Sequence, residues 1–280
     1  MKELRTSSGF NLHCREGEDF AEYIKKGLQF LKETGFDAAD FPTTLLDLTS
    51  NAWHEQVEGI LADSEQIGLH FEVCHLPFSG KKDEVFNQKM HNAIDAAKLL
   101  GVDYAVLHPN TTTLPLKQFD RTAQFDNVMA HLAPFVEHAT RIGLNVVVEN
   151  MRVVPGIMLS HRYCQDPDEL CDVADALGIG VCWDFGHANI SAVKQSEGLA
   201  YVGRRLKVLH INDNTAIEDE HLAPFMGSVD WRDAMHGLAL AEFDGLFNYE
   251  LTTKPVPPAL RRQYAAFLQS AAKELMSYIE

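Results

Sequence analysis

Six short apolar runs in this chain each end on a histidine or an acid: Val73-Cys74-His75, Val106-Leu107-His108, Val146-Val147-Val148-Glu149, Val181-Cys182-Trp183-Asp184, Val208-Leu209-His210 and Phe247-Asn248-Tyr249-Glu250. A buried strand has no reason to finish repeatedly on a metal-ligating side chain unless those ends converge. Segments of helical periodicity separate one run from the next, and that alternation predicts βα units and a parallel sheet. Upstream, Gly9-Phe10-Asn11-Leu12 reads as a first strand, followed by a helix over 18–35, a strand over 36–41 and a helix over 54–68. Eight strand–helix pairs in 280 residues predict an α/β fold, a single (β/α)8 TIM barrel, whose usual size is about 250 residues. One domain over residues 1–280 is expected, because no Pro-, Gly- and Ser-rich stretch divides the chain.

Local punctuation agrees with that reading. Gly35, Gly68, Gly101, Gly143 and Gly178 each fall just past a helical pattern and just before a strand, where a left-handed C-cap is needed. Asp166-Pro167-Asp168-Glu169 has the form of a helix start. A last helix over 258–279 carries an apolar stripe through Leu260, Tyr264, Phe267, Leu268, Ala271, Leu275 and Ile279. Residues two apart on a strand share a face, so Glu149 lies with Val147, Asp184 with Cys182, His210 with Val208 and Glu250 with Asn248. The intervening Val148, Trp183, Leu209 and Tyr249 then face the helices, and the polar residues point into the barrel at its C-terminal end.

Three carboxylates and an imidazole at one mouth raise one another's carboxyl pKa values unless a cation lies between them. Glu149, Asp184, His210 and Glu250 offer three oxygen donors and one nitrogen, a set suited to one divalent metal ion, whether Mn2+, Zn2+, Co2+ or Mg2+, and unlike a thiolate zinc site. Four protein ligands leave coordination positions open, as a catalytic site requires. Nearby, Trp183-Asp184-Phe185-Gly186-His187 adds a second histidine, and His210-Ile211-Asn212-Asp213-Asn214 leads into Asp219-Glu220-His221.

With Glu149-Asn150, Asp184 and His187, His210 with Asn212-Asp213, and Glu250 in this order, the chain resembles the xylose isomerase-like TIM barrel superfamily over nearly its whole length. More closely, it resembles the sugar phosphate isomerase/epimerase branch that includes ketose 3-epimerases and hydroxypyruvate isomerase. The resemblance implies that Glu149, Asp184, His210 and Glu250 hold one divalent ion, and that Glu149 and Glu250 exchange a proton at a substrate carbon through a metal-stabilised enediolate. It further implies that His187 bonds a substrate oxygen. The branch commonly has an arginine after the histidine ligand; none lies between His210 and Pro224, which sets this chain apart from the ketose 3-epimerases at that point.

A second resemblance within the superfamily is to the apurinic-site endonucleases, of the endonuclease IV type. Their nine ligand types for three zinc ions all occur here, as His75, His108, Glu149, Asp184, His187, His210, Asp219, His221 and Glu250. That reading makes the chain a multinuclear zinc phosphodiesterase and adds further zinc ions. A third, a noncatalytic sugar-binding barrel, would have no need of both glutamates.

Composition separates these readings. A net charge of −16 and a pI near 5.2 count against a nucleic acid partner, which needs a Lys/Arg footprint. A small-molecule sugar substrate fits better. Residues 1–13 lack the apolar core of a signal peptide and no segment approaches a membrane span. Cys14, Cys74, Cys164, Cys171 and Cys182 show no Cys-x-x-Cys pair. A cytoplasmic protein with reduced thiols and no membrane partner is expected; a homo-oligomer is left open.

A histidine taken alone more often satisfies a local hydrogen bond than a ligand, and His54, His70, His91, His131, His138, His161 and His236 are given no role. His13 reads as a loop residue. His75, His108 and His187 are read as substrate contacts or additional metal ligands, and His75 and His108 also as pocket lining. Asp219 and His221 could equally be solvated loop residues. Arg152 and Lys254 could meet a phosphate, although such residues more often pair with acids.

Overall fold

The computed structural model describes residues 4–9, 19–154, 156, 159–252 and 256–279. Its eight-stranded parallel sheet runs in the order β10 (Phe247–Tyr249), β1 (Thr6–Ser8), β2 (Ala38–Pro42), β3 (His70–His75), β4 (Tyr104–Leu107), β6 (Val146–Glu149), β8 (Gly180–Asp184) and β9 (Leu206–His210). The ring closes just past β9, where Ile211 N donates to Asn248 O at 2.8 Å and Glu250 N to Ile211 O at 3.3 Å. This is a TIM barrel. The first strand occupies Thr6–Ser8 rather than residues 9–12, of which 10–12 lie outside the described residues. Its Ser7 side chain donates to Asn248 Oδ1 inside the barrel at 2.6 Å, so this strand is polar and shows no apolar run.

Helices α1 (Phe20–Glu33), α2 (Ala52–Ile67), α3 (Glu84–Leu100), α4 (Arg121–Ile142), α5 (Pro167–Leu177), α6 (Phe185–Ile190), α7 (Gln195–Val202), α8 (Trp231–Leu240) and α9 (Arg261–Ser277) follow the strands. Gly68, Gly101, Gly143 and Gly178 cap α2, α3, α4 and α5 in the left-handed conformation, which costs a glycine no Cβ clash. Pro167 opens α5 after Asp166 as expected, although the Asp166 side chain makes no capping bond.

Alternation divides the apolar residues into two cores. Ala38, Val73, Val106, Val147, Cys182, Val208 and Leu246 pack together inside the barrel. Ala39, Phe41, Val148, Trp183, Leu209 and Tyr249 belong to the larger core shared with the helices. Each polar residue of the next layer, namely Asp40, His75, His108, Glu149, Asp184, His210 and Asn248, lies two positions after a member of the inner core, on the same face. A small two-stranded antiparallel sheet, β5 (Thr113–Pro115) with β7 (Ser160–Arg162), is built from the segments after β4 and β6. No described helix is long and apolar enough to cross a membrane.

Candidate metal centre

One atom each from Glu149, Asp184, His210 and Glu250 lies within 4.8 Å of the others. His210 Nδ1 sits 3.3 Å from Glu149 Oε1, 3.9 Å from Asp184 Oδ2 and 3.0 Å from Glu250 Oε2. These approaches do not have hydrogen-bond angles: both His210 ring nitrogens, Glu149 Oε2 and Glu250 Oε2 are buried without a hydrogen bond. Buried polar atoms are nearly always satisfied, so a group of them aimed at a common point fits a cation better than it fits mutual bonding.

Two other triads converge among the described residues, and both are weaker candidates. Asp40, with His75 and His210, already accepts from Asn248 Nδ2 at 2.7 Å and lies 3.1 Å from His75 Nδ1. Cys182, with Glu149 and His210, is pushed well above the ordinary thiol range by burial, which opposes the ionisation that metal binding requires.

Electrostatics give the same demand for positive charge. Burial raises the Glu149 carboxyl, but His210 and His108 outweigh it and hold it well below the usual carboxylate range. Burial likewise opposes ionisation of Glu250, and His210 with His75 overcomes it. Asp184 is pushed up to about 6 by burial, with His187 pulling down and Glu149 and Glu250 pushing further up. The neighbouring imidazoles favour the charged carboxylates, a role that a divalent ion also fills.

The ligand geometry is set by neighbouring amides. Asp184 caps α6, its Oδ1 accepting from His187 N at 2.6 Å, while Asn212 Nδ2 donates to its Oδ2 at 2.7 Å. Asn150 Oδ1 accepts from Asp184 N and Asn150 Nδ2 donates to Asp184 O. Asp213 instead serves the loop, accepting from Trp231 Nε1 and Val229 N.

All nine residues singled out in the sequence reach this mouth, but with different partners. His75 stacks on His210 with ring centroids 4.4 Å apart, and its Nε2 is 3.4 Å from Glu250 Oε1. His108 Nε2 is 3.1 Å from Glu149 Oε2. His187 Nδ1 contacts Asn150 O at 2.8 Å, and its Nε2 is 3.3 Å from Asp219 Oδ2. His221 Nε2 lies 3.5 Å from Asp219 Oδ2, and Arg152 Nε pairs with the same oxygen at 3.0 Å. His13 and Lys254 lie outside the described residues.

A cavity of about 230 Å3 opens over the cluster, with Glu149, Glu250, His108, His187, Arg152 and Arg162 in its wall. A larger cleft of about 490 Å3 lies at the opposite end of the strands around Arg5, Glu72 and Lys207, away from these groups. The sequence reading missed Asp40, hidden in an otherwise apolar strand where an acid was itself the signal. It also missed Arg162, on a short strand, β7, that no periodicity announces.

The family described as xylose isomerase-like TIM barrel has a model that matches residues 28–271. The chain is 26% identical over 192 residues to the uncharacterized protein MJ1311 of Methanocaldococcus jannaschii, a match that spans 64% of this chain and 63% of that protein, less than two thirds of its length. Among solved structures it is similar to a D-tagatose 3-epimerase-like protein, with a TM-score of 0.72 at 20% identity over 99% of this chain and 98% of that one. It is also similar to the 3-keto-D-glucoside 4-epimerase YcjR from E. coli, with a TM-score of 0.70 at 16% identity over 95% and 98% of the two chains.

Proposed function

Since the chain belongs to the xylose isomerase-like TIM barrel family, we propose that it is a divalent-metal-dependent sugar isomerase or epimerase that moves a proton at a carbon beside a carbonyl, with Glu149 and Glu250 as the proton-carrying pair. One observation carries the reading. The two glutamates come from β6 and the end of β10, strands that are not neighbours in the barrel. Both nevertheless approach the same His210 nitrogen, at 3.3 and 3.0 Å, and both line one cavity. Two similar structures named as epimerases support it.

Glu149, Asp184, His210 and Glu250 would hold the ion, which when bound supplies Lewis-acid stabilisation of the charge that builds on substrate oxygens as the C–H bond breaks. Mn2+, Co2+, Mg2+ and Zn2+ all suit such donors. The chain does the rest. Two carboxylates in reach of one carbon allow one to take the proton and the other to return it from the opposite side, which inverts a stereocentre. Glu149 is 1% exposed and the Glu250 side chain 29%, so a proton on Glu250 exchanges with water and one on Glu149 is sheltered. His187, held between Asn150 O and Asp219, lines the cavity and reaches a substrate oxygen through Nε2 only if that nitrogen leaves Asp219.

The three-zinc phosphodiesterase reading is less well supported. Arg152 already supplies a cation to Asp219, the residue that would join His187 and His221 around a second ion, and the net charge is −16. The test is a panel of ketoses with metal-loaded protein in D2O: deuterium should enter the carbon beside the carbonyl. Glu149→Gln and Glu250→Gln should each lower turnover by about 10²- to 10⁴-fold, the usual span for an acid or base. Unchanged turnover in both variants removes the glutamates from the chemistry, and three tightly bound zinc ions with incision of an abasic duplex replaces the reading altogether.

A further inference from the structure

In the wall of the cavity over the site, the Arg162 guanidinium on β7 has no acidic partner among the described residues. Arg162 makes no ion pair among the described residues, although Glu149 and Asp219 line the same cavity. Its Nε donates to Thr111 Oγ1 at 3.1 Å and its Nη1 to Arg152 O at 3.3 Å, both neutral acceptors. In contrast, Arg152 is paired with Asp219 at 3.0 Å.

The framework holds Arg162 in this state. Its strand position is fixed by pairing with Thr113 and by the bond from its backbone N to Gln165 Oε1 at 2.9 Å. Thr111 Oγ1 donates to Tyr163 O at 3.0 Å, which leaves its lone pairs for the Arg162 Nε. Burial, and then the like charge of Arg152, pull Arg162 below the ordinary guanidinium value. A chain of net charge −16 has acids enough to pair an arginine that serves only packing. A half-desolvated fork with no carboxylate, pinned by neutral acceptors inside a small cavity, is organised to receive an anion.

We propose that the sugar bound here is anionic, with a phosphate or carboxylate group received by Arg162 in the cavity wall, an inference that rests on the isomerase/epimerase reading above. The carbonyl end of the same molecule then lies over Glu149 and Glu250. Arg162 sets which substrates bind and takes no part in proton transfer.

Calorimetric titration of metal-loaded protein with a ketopentose 5-phosphate, a keto-hexuronate and a neutral ketopentose tests this. At least one anionic probe should bind 10-fold or more tighter than the neutral one, and the stronger of the two identifies phosphate or carboxylate. Arg162→Gln should weaken that probe by about 10- to 100-fold, the span of a charge-assisted hydrogen bond, and leave the neutral ketopentose unchanged. Arg162→Lys, which keeps the charge without the fork, should fall between. The inference is overturned if neither anionic probe binds more tightly than the neutral one, or if Arg162→Gln weakens neutral and anionic probes alike, as a structural role would. Arg162-dependent binding with no deuterium uptake from D2O into the bound probe would instead leave the anion subsite standing and remove the isomerase/epimerase reading.

Discussion

Replacing Gly186 by alanine would drive a methyl group into the amides that hold Asp184. A Cβ at that position would lie 2.0 Å from Asn212 Oδ1, 2.6 Å from Asn214 Nδ2 and 3.1 Å from Asn212 Cγ. The first contact is roughly 1.4 Å inside ordinary van der Waals separation. Asn212 and Asn214 are both fully buried, so neither can swing into solvent. Asn212 Nδ2 also donates to Asp184 Oδ2 at 2.7 Å, so relief of the clash means loss of that bond. Overpacking costs about 1–3 kcal/mol and a hydrogen bond to a charged group about 1.5–3 kcal/mol. The expected loss for Gly186→Ala is therefore about 2.5–6 kcal/mol, read as a shift of the urea midpoint at constant slope. Metal affinity, measured by competition with a chelator, should fall about 10- to 100-fold, as when the outer partner of a ligand is disturbed. Asn212→Ala removes the nearest clashing atom and leaves only the Asn214 contact, so the double variant should be more stable than the sum of the singles predicts, with a coupling of about 1 kcal/mol or more. Additive behaviour within about 0.5 kcal/mol, or a Gly186→Ala protein as stable as the wild type, would refute the argument.

Asp184→Ala and His210→Ala should each strip the bound divalent ion, which metal analysis of the purified proteins reads directly; full metal content in both variants would mean the centre lies elsewhere. His131, packed against Phe86 and Phe135, is lowered to about 4 by burial and then by Lys82, against about 6.5 in an unfolded chain. The unfolded state therefore binds the proton first, and the stability that neutral His131 contributes is present above about pH 6.5 and lost as pH falls towards 4. Urea midpoints at pH 7.5 and 5 should differ more in the wild type than in His131→Gln, and equal sensitivity would exclude His131 as the cause.

The sequence by itself determined the architecture and which side chains gather at the barrel mouth, because both rest on local periodicity. Side chains two apart share a face, so Val147 with Glu149, Cys182 with Asp184 and Val208 with His210 already showed that the acids and the histidine sit directly above an apolar plug, as the inner core bears out. The glycines at 68, 101, 143 and 178 marked helix ends by the same local rule. Only the tertiary structure decided what depends on residues far apart in the chain. The first strand closes the ring through Ser7 and Asn248, 241 positions apart, and so needs no apolar run of its own. Asp40 became part of the site only when the barrel brought it to His75 and Asn248. Arg152 met Asp219, and Arg162 met Thr111, through loops whose course is set by the surface they cover and has no period to read. A repeating pattern fixes which way a side chain points; which neighbour it meets is decided by closure of the barrel and packing of the loops over its mouth.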